Sequence, residues 1–238
     1  MPEPSETPKQ NCSIKVTKNG PYLVLGAIPL FSMTIECDSA GIPARWVKGK
    51  NLQTPETYTL CRCGQSGNKP FCNGSHINAD FDGTEVSDIE PFEKMAKTID
   101  GPELILKDAE ILCASARFCH RGGDIWPAIL KSDDFITKEN AIENASDCPS
   151  GRLVVIDKKA GIIVEPSLDK SIGAIEDPAI GVSGPLWVRG VIPIYSADRN
   201  LYEIRNRVTL CRCGKSTNKP FCDSSHYPKE DREVQFDE

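Results

Sequence analysis

The sequence predicts an α+β chain that is mainly β, in which two copies of a β-rich unit flank a helical middle segment. Three observations carry this reading. Residues 61–76, CRCGQSGNKPFCNGSH, recur almost unchanged at 211–226 as CRCGKSTNKPFCDSSH. Upstream, residues 20–30 (GPYLVLGAIPL) are echoed at 184–194 (GPLWVRGVIPI), so the duplication extends into strand-like sequence. Between the copies, apolar residues recur at helical spacing. Residues 1–100 thus form a first unit, 101–157 an insert and 158–238 a second unit, and the two repeated halves predict an internal pseudo-dimer with strands shared in one core.

Each element has its own local reason. Tyr22-Leu23-Val24-Leu25, Leu186-Trp187-Val188-Arg189 and Tyr202-Glu203-Ile204-Arg205 are β-branched, aromatic or alternating, bounded by Gly and Pro, and read as short antiparallel strands. The stretch from the Gly-Pro pair to the first motif cysteine is longer in the first copy, which places an insertion between Leu30 and Thr59. Helix is expected over residues 102–130, with Leu104, Ala109, Leu112, Cys113 and Ala116 on one apolar stripe, and again over 138–145. Residues 229–238 read as a solvated chain end.

The chain has 238 residues and a net charge of −6, which suits a globular protein and disfavours a surface that tracks a phosphate backbone. No nucleic-acid partner is expected. The opening MPEPSETPKQ has neither a basic nor an apolar leader region, and no apolar run is long enough to cross a bilayer. The expectation is a cytoplasmic protein that engages no membrane. Eleven cysteines in a reducing compartment then point to metal or redox chemistry rather than disulfides.

Two of the three histidines fall in the repeat, giving two donor sets: Cys61, Cys63, Cys72 and His76, and Cys211, Cys213, Cys222 and His226. In an extended Cys-x-Cys both sulfurs lie on one face, able to grip one metal. Cys72 and His76, at i and i+4, meet in a helical turn and can grip a neighbouring metal. Pro70 and Pro220 fix the backbone just before that turn. Zinc also accepts three cysteines and a histidine, although its sites usually space the cysteine pair more widely.

These segments resemble the CDGSH iron-sulfur domain of the NEET family, whose pattern C-x-C-x2-S/T-x3-P-x-C-D-G-S/T/A-H both copies match at every donor, at Ser66 or Ser216 and at Pro70 or Pro220. Asn73 stands in place of the motif aspartate and Ser224 in place of the motif glycine. The resemblance implies a 2Fe-2S cluster on three cysteines and one histidine in each copy, hence two 2Fe-2S clusters. It also implies duplicated CDGSH β-rich units forming an intramolecular pseudo-dimer, similar to the two-chain assembly of anchored relatives but without a membrane anchor, and therefore a monomer. With one thiolate replaced by imidazole, such a cluster carries about one negative charge fewer and is easier to reduce. Lys69, Lys215 and Lys219 are positioned to offset the remaining charge, whereas Arg62 and Arg212, between two donor cysteines, should point to the opposite face.

Cys113, Cys119 and Cys148 lie in the insert. Cys148-Pro149 followed by Ser-Gly-Arg-Leu resembles the tail of a bacterial-type ferredoxin domain, but the run C-x2-C-x2-C is absent and three cysteines are one short of a standard 4Fe-4S set. A degenerate-ferredoxin-like insert without a cluster is expected, with His120 at a helix end or on the surface and Cys12 and Cys37 as ordinary thiols. The function expected is electron transfer or redox sensing with a protein partner. Alternatives are cluster donation or storage and structural zinc binding. No P-loop, nucleophile elbow or G-x-G-x-x-G occurs, so enzymatic activity is not expected.

Overall fold

The computed structural model describes residues 12–228. The first copy forms β1 (Ser13–Val16), β2 (Tyr22–Leu25), β3 (Leu30–Cys37), β4 (Pro43–Leu52) and β5 (Thr57–Leu60). A single turn, α1 (Phe92–Met95), leads into the middle segment: β6 (Lys97–Asp100), β7 (Leu104–Asp108), α2 (Ile125–Ile129), α3 (Phe135–Ser146), β8 (Leu153–Asp157) and β9 (Ile162–Val164). The second copy follows as β10 (Ser171–Asp177), β11 (Val182–Arg189), β12 (Ile194–Tyr195) and β13 (Arg207–Leu210).

The echoed segments take up equivalent places and then change sheets. Gly26-Ala27 and Gly190-Val191 both adopt left-handed backbone, with φ of 85° and 52° in the first pair and 78° and 51° in the second. Such a turn ends β2 and β11 and releases the following strand in a new direction. The strand after it joins the other copy: β3 lies parallel to β10, with Leu30 opposite Ile172, and β12 lies parallel to β1, with Ile194 opposite Ile14. The resulting sheets run β12-β1-β2-β5 and β13-β11-β10-β3-β4. The first therefore contains one strand of the second copy, β12, and the second contains two of the first, β3 and β4. Their inward faces form one core in which Ile14, Val24, Leu30 and Leu60 pack with Ile172, Leu186, Val188 and Leu210.

The insertion expected between Leu30 and Thr59 is the β3–β4 hairpin. It carries Trp46, whose ring sits 4.8 Å from those of both Phe118 and Trp187 and whose Nε1 donates to the Asp147 carbonyl at 3.0 Å. The hairpin thus clasps the middle segment to the second copy.

The middle segment departs from its expected helical character. Helix does occur over 138–145, inside α3, whose N-terminus is capped by Asp134 accepting from the Thr137 amide at 2.9 Å. Residues 102–130, however, form β7, two 3-10 turns and only the five-residue α2. Leu104, Leu106 and Asp108 are buried while Ile105 and Lys107 are only partly so, a period of two that belongs to a strand. The sheet β6-β7-β8-β9 backs onto α2 and α3 through Leu104, Leu106, Leu153 and Val155. Residues 202–205 also differ from expectation: β13 begins at Arg207, and Tyr202 is buried with its hydroxyl on Glu85 at 2.9 Å. The tail at 229–238 lies outside the described residues. Among the described residues no helix is long and apolar enough to cross a membrane.

Tyr22 ties the first copy to the second motif. It is fully buried, and its hydroxyl donates to the carbonyls of Cys211 at 2.7 Å and Pro220 at 3.0 Å. The Pro220 carbonyl keeps a second donor in the Cys211 amide, at 2.9 Å. Tyr22→Phe therefore strands chiefly the Cys211 carbonyl and should lower unfolding free energy by about 1–3 kcal/mol, read from the urea midpoint at unchanged slope.

Candidate metal centres

Both motifs are built by the same local rules. β5 delivers Cys61 and β13 delivers Cys211. The chain then turns back so that Phe71 bridges Leu60 and Phe221 bridges Leu210. The motif serines hold this return: Ser66 Oγ donates to the Phe71 carbonyl and accepts from the Asn68 amide, and Ser216 does the same with Phe221 and Asn218. Lys69-Pro70 and Lys219-Pro220 are cis peptides.

The donors meet in pairs. Cys61 and Cys63 sulfurs are 3.8 Å apart and Cys211 and Cys213 sulfurs 3.6 Å apart. Cys72 Sγ lies 3.5 Å from His76 Nδ1, and Cys222 Sγ lies 3.4 Å from His226 Nδ1. The second donor pair is held by tight turns rather than a helix. Among the described residues no three His, Cys, Asp or Glu side chains converge on the position of one ion. Backbone amides point at the sulfurs: Gln65 at Cys63, Gly74 at Cys72 and Lys215 at Cys213. Such bonds favour the thiolate.

Burial works against that charge. It pushes up the Cys63 thiol, and it pushes up Cys222, where the neighbouring Cys211 thiol adds to the effect. Cys211 moves the other way, to about 6, because Cys213 hydrogen-bonds to it, and the same contact together with burial raises Cys213. Buried thiols of this kind are relieved by a metal cation that supplies the missing positive charge.

The two motifs touch. Cys63 and Cys213 form an antiparallel bridge, and Gly64 and Gly214, at φ of 77° and 79°, lie flat on each other's cysteine backbone. Arg62 and Arg212 do face away, as their position between two donor cysteines predicts. Arg62 donates to the carbonyls of Thr17 and Gly83, and Arg212 to those of Gly184 and Ile175 and to Glu176. Lys69 and Lys215, together with part of Arg212, line an opening of about 250 Å³ beside Cys213, while Lys219 is held by the Ser216 carbonyl at 2.9 Å.

The middle cysteines also come together. Cys113, Cys119 and Cys148 line one cavity of about 30 Å³ with Arg117 and Arg152. Burial and the two neighbouring thiols push Cys119 up. The connecting loop winds through left-handed Ser115 and Arg117, at φ of 49° and 63°. Arg152 is anchored by Asp108 at 2.6 and 2.9 Å, and Arg117 by Asp177 at 2.5 Å. His120 is held by Asp124 at 2.6 Å. Cys12 donates to the Gly26 carbonyl, and Cys37 contacts Arg117.

Comparison with known families agrees with this arrangement. Residues 19–77 and 183–227 match the model described as iron-binding zinc finger CDGSH type, and residues 99–158 match a divergent 4Fe-4S mono-cluster model. No curated protein and no solved structure matches the chain. The chain thus carries two CDGSH iron-binding domains in tandem, with a divergent 4Fe-4S match between them, and these matches support iron-sulfur binding. The match at 99–158 runs against a cluster-free insert. Its sequence signal is Cys-x5-Cys with a later Cys-Pro, in place of three closely spaced cysteines.

The glycine contact gives a test. A Cβ at Gly64 collides with the Cys213 backbone, whereas at Gly74, also left-handed at φ 86°, it meets open space. Gly64→Ala should reduce iron content at both motifs. Gly74→Ala should retain it and lose only about 1 kcal/mol of stability to backbone strain. Iron assay and thermal melts distinguish the two.

Proposed function

We propose that each CDGSH motif holds a 2Fe-2S cluster on three cysteines and one histidine, and that the protein passes single electrons between protein partners. The pairing of the donors carries this reading. Two donors for each of two irons is what a binuclear cluster needs, whereas a structural zinc needs four donors at one point. A bound cluster supplies one-electron storage. The chain's residues supply the rest: amides on Cys63, Cys72 and Cys213 stabilise thiolate ligands, and Lys69 and Lys215 offset charge beside Cys213. The exchanged strands β3 and β12 support an intramolecular pseudo-dimer that works as a monomer in the cytoplasm, without catalysis of its own.

Cys113, Cys119 and Cys148 are proposed to hold a further cluster of the 4Fe-4S kind, supported by their shared cavity and the family match over 99–158. A second reading, cluster donation or storage, is favoured by the first motif. His76 borders an open cavity of about 620 Å³ with Lys18, Ile77 and Phe81, where an acceptor can reach it.

The two CDGSH motifs together should contribute about four irons and four sulfides, and the middle set up to about four more of each. Iron and acid-labile sulfide analysis of the purified protein checks this. Zinc at about two per chain without sulfide overturns it. Replacing imidazole by thiolate adds negative charge, so His76→Cys and His226→Cys should each lower one reduction potential by on the order of 100 mV. Redox titration of the visible band reads the shift, and unchanged potentials count against histidine ligation.

A further inference from the structure

Ser224 departs from both the motif and ordinary backbone preference. Its φ is 69°, a left-handed conformation that favours glycine, and the equivalent Gly74 is a glycine at 86°. Ser224 is nonetheless buried, and its hydroxyl donates to the Cys113 carbonyl at 2.8 Å. The rest of the second motif leans on the same segment. Asn218 Nδ2 donates to the Ile111 carbonyl at 3.3 Å, Phe221 packs against the Ala109, Leu112 and Val154 cluster, and Arg117 lies over the Tyr227 ring at 5.7 Å.

Among the described residues the first motif has no such cover. Its Asn68 and Ile77 are exposed where Asn218 and Tyr227 are buried, and the space beside Gly74 is open. On this side Cys222 is correspondingly buried and Cys72 only partly so, whereas on the side where the motifs meet Cys63 is buried and Cys213 partly exposed. The two motifs are otherwise near-identical, so this asymmetry sits at the positions that touch the middle segment.

We infer that Ser224 is a positioning residue that couples the second CDGSH site, and not the first, to the middle cysteine set. The three sites then stand in series: first motif, second motif, Cys113 loop. On its Cys72 side the first motif is the more open of the two. An electron passing along the series oxidises the site it leaves and reduces the site it enters, with no bond or proton moved. A one-electron donor such as dithionite supplies it in the test. The inference rests on the proposed iron-sulfur occupancy of all three sites.

The experiment uses the full chain in two backgrounds, one lacking the first site (Cys61→Ser with Cys72→Ser) and one lacking the second (Cys211→Ser with Cys222→Ser). Each is reduced with dithionite, and the microwave power that half-saturates its remaining 2Fe-2S electron paramagnetic resonance signal is measured with and without Cys119→Ser. A neighbouring paramagnetic cluster speeds relaxation and raises that power. Cys119→Ser should lower it several-fold in the background that keeps the second site and leave it unchanged in the background that keeps the first. Ser224→Ala, which retains the backbone conformation and deletes only the hydroxyl, should lower it in the former background without loss of iron. Cys148→Ser provides the same comparison should Cys119→Ser fail to fold. Equal responses in both backgrounds, or no response to Ser224→Ala, overturn the inference. Iron content separates the causes. Iron lost on Cys119→Ser with unchanged relaxation sinks the coupling alone, whereas iron retained sinks the middle cluster and the coupling with it.

Discussion

Neither β-rich copy completes its own sheet. The constraint on which the molecule depends is the exchange of β3 and β12, each laid parallel to a strand of the other copy. Parallel pairing between distant segments requires a long connection and a large loop closure, which the middle segment provides. Once the strands are exchanged, one core serves both copies. The ends of β5 and β13 are then brought to the same place, and Cys63 meets Cys213. The closeness of the two candidate metal centres is therefore a property of the strand topology, reinforced by glycines that remove the side chains otherwise standing between them.

Charge is handled in layers around those centres. Buried thiols face backbone amides, the arginines of Cys-Arg-Cys are turned away to satisfy carbonyls, and lysines lie at the opening. A guanidinium aimed at carbonyls on the far face fixes the strand without competing with the donors for position. The same economy recurs in the middle segment, where Arg117 and Arg152 border the cysteine cavity but each is fastened to a carboxylate.

Much of the donor geometry was legible because it depends on short spacings. Cys-x-Cys and Cys-x3-His bring donors together through local backbone alone, and the repeat revealed the duplication. The arginine orientation followed from strand alternation in the same way. The middle segment was read less well. Leu104, Ala109, Leu112 and Ala116 match a helical stripe by coincidence, while the burial of alternate residues in β7 depends on a sheet partner, β8, some fifty positions away. The contact at Ser224 was not legible at all. Only the substitution of the motif glycine marked it, and its partner is a backbone carbonyl 111 positions earlier, which carries no side-chain signature.

Joining the two copies in one polypeptide has a consequence for how the protein can change. In an assembly of two identical chains every substitution appears twice, so a residue favourable on one side is imposed on the other. Here Tyr22 stands where the second copy has Leu186, and Gly74 where it has Ser224, and each suits only its own surroundings. Two copies within one polypeptide are free of that symmetry. The Ser224 side of one motif can adapt to the middle segment while the Gly74 side of the other stays open, without either adaptation being copied to a place where it would do harm.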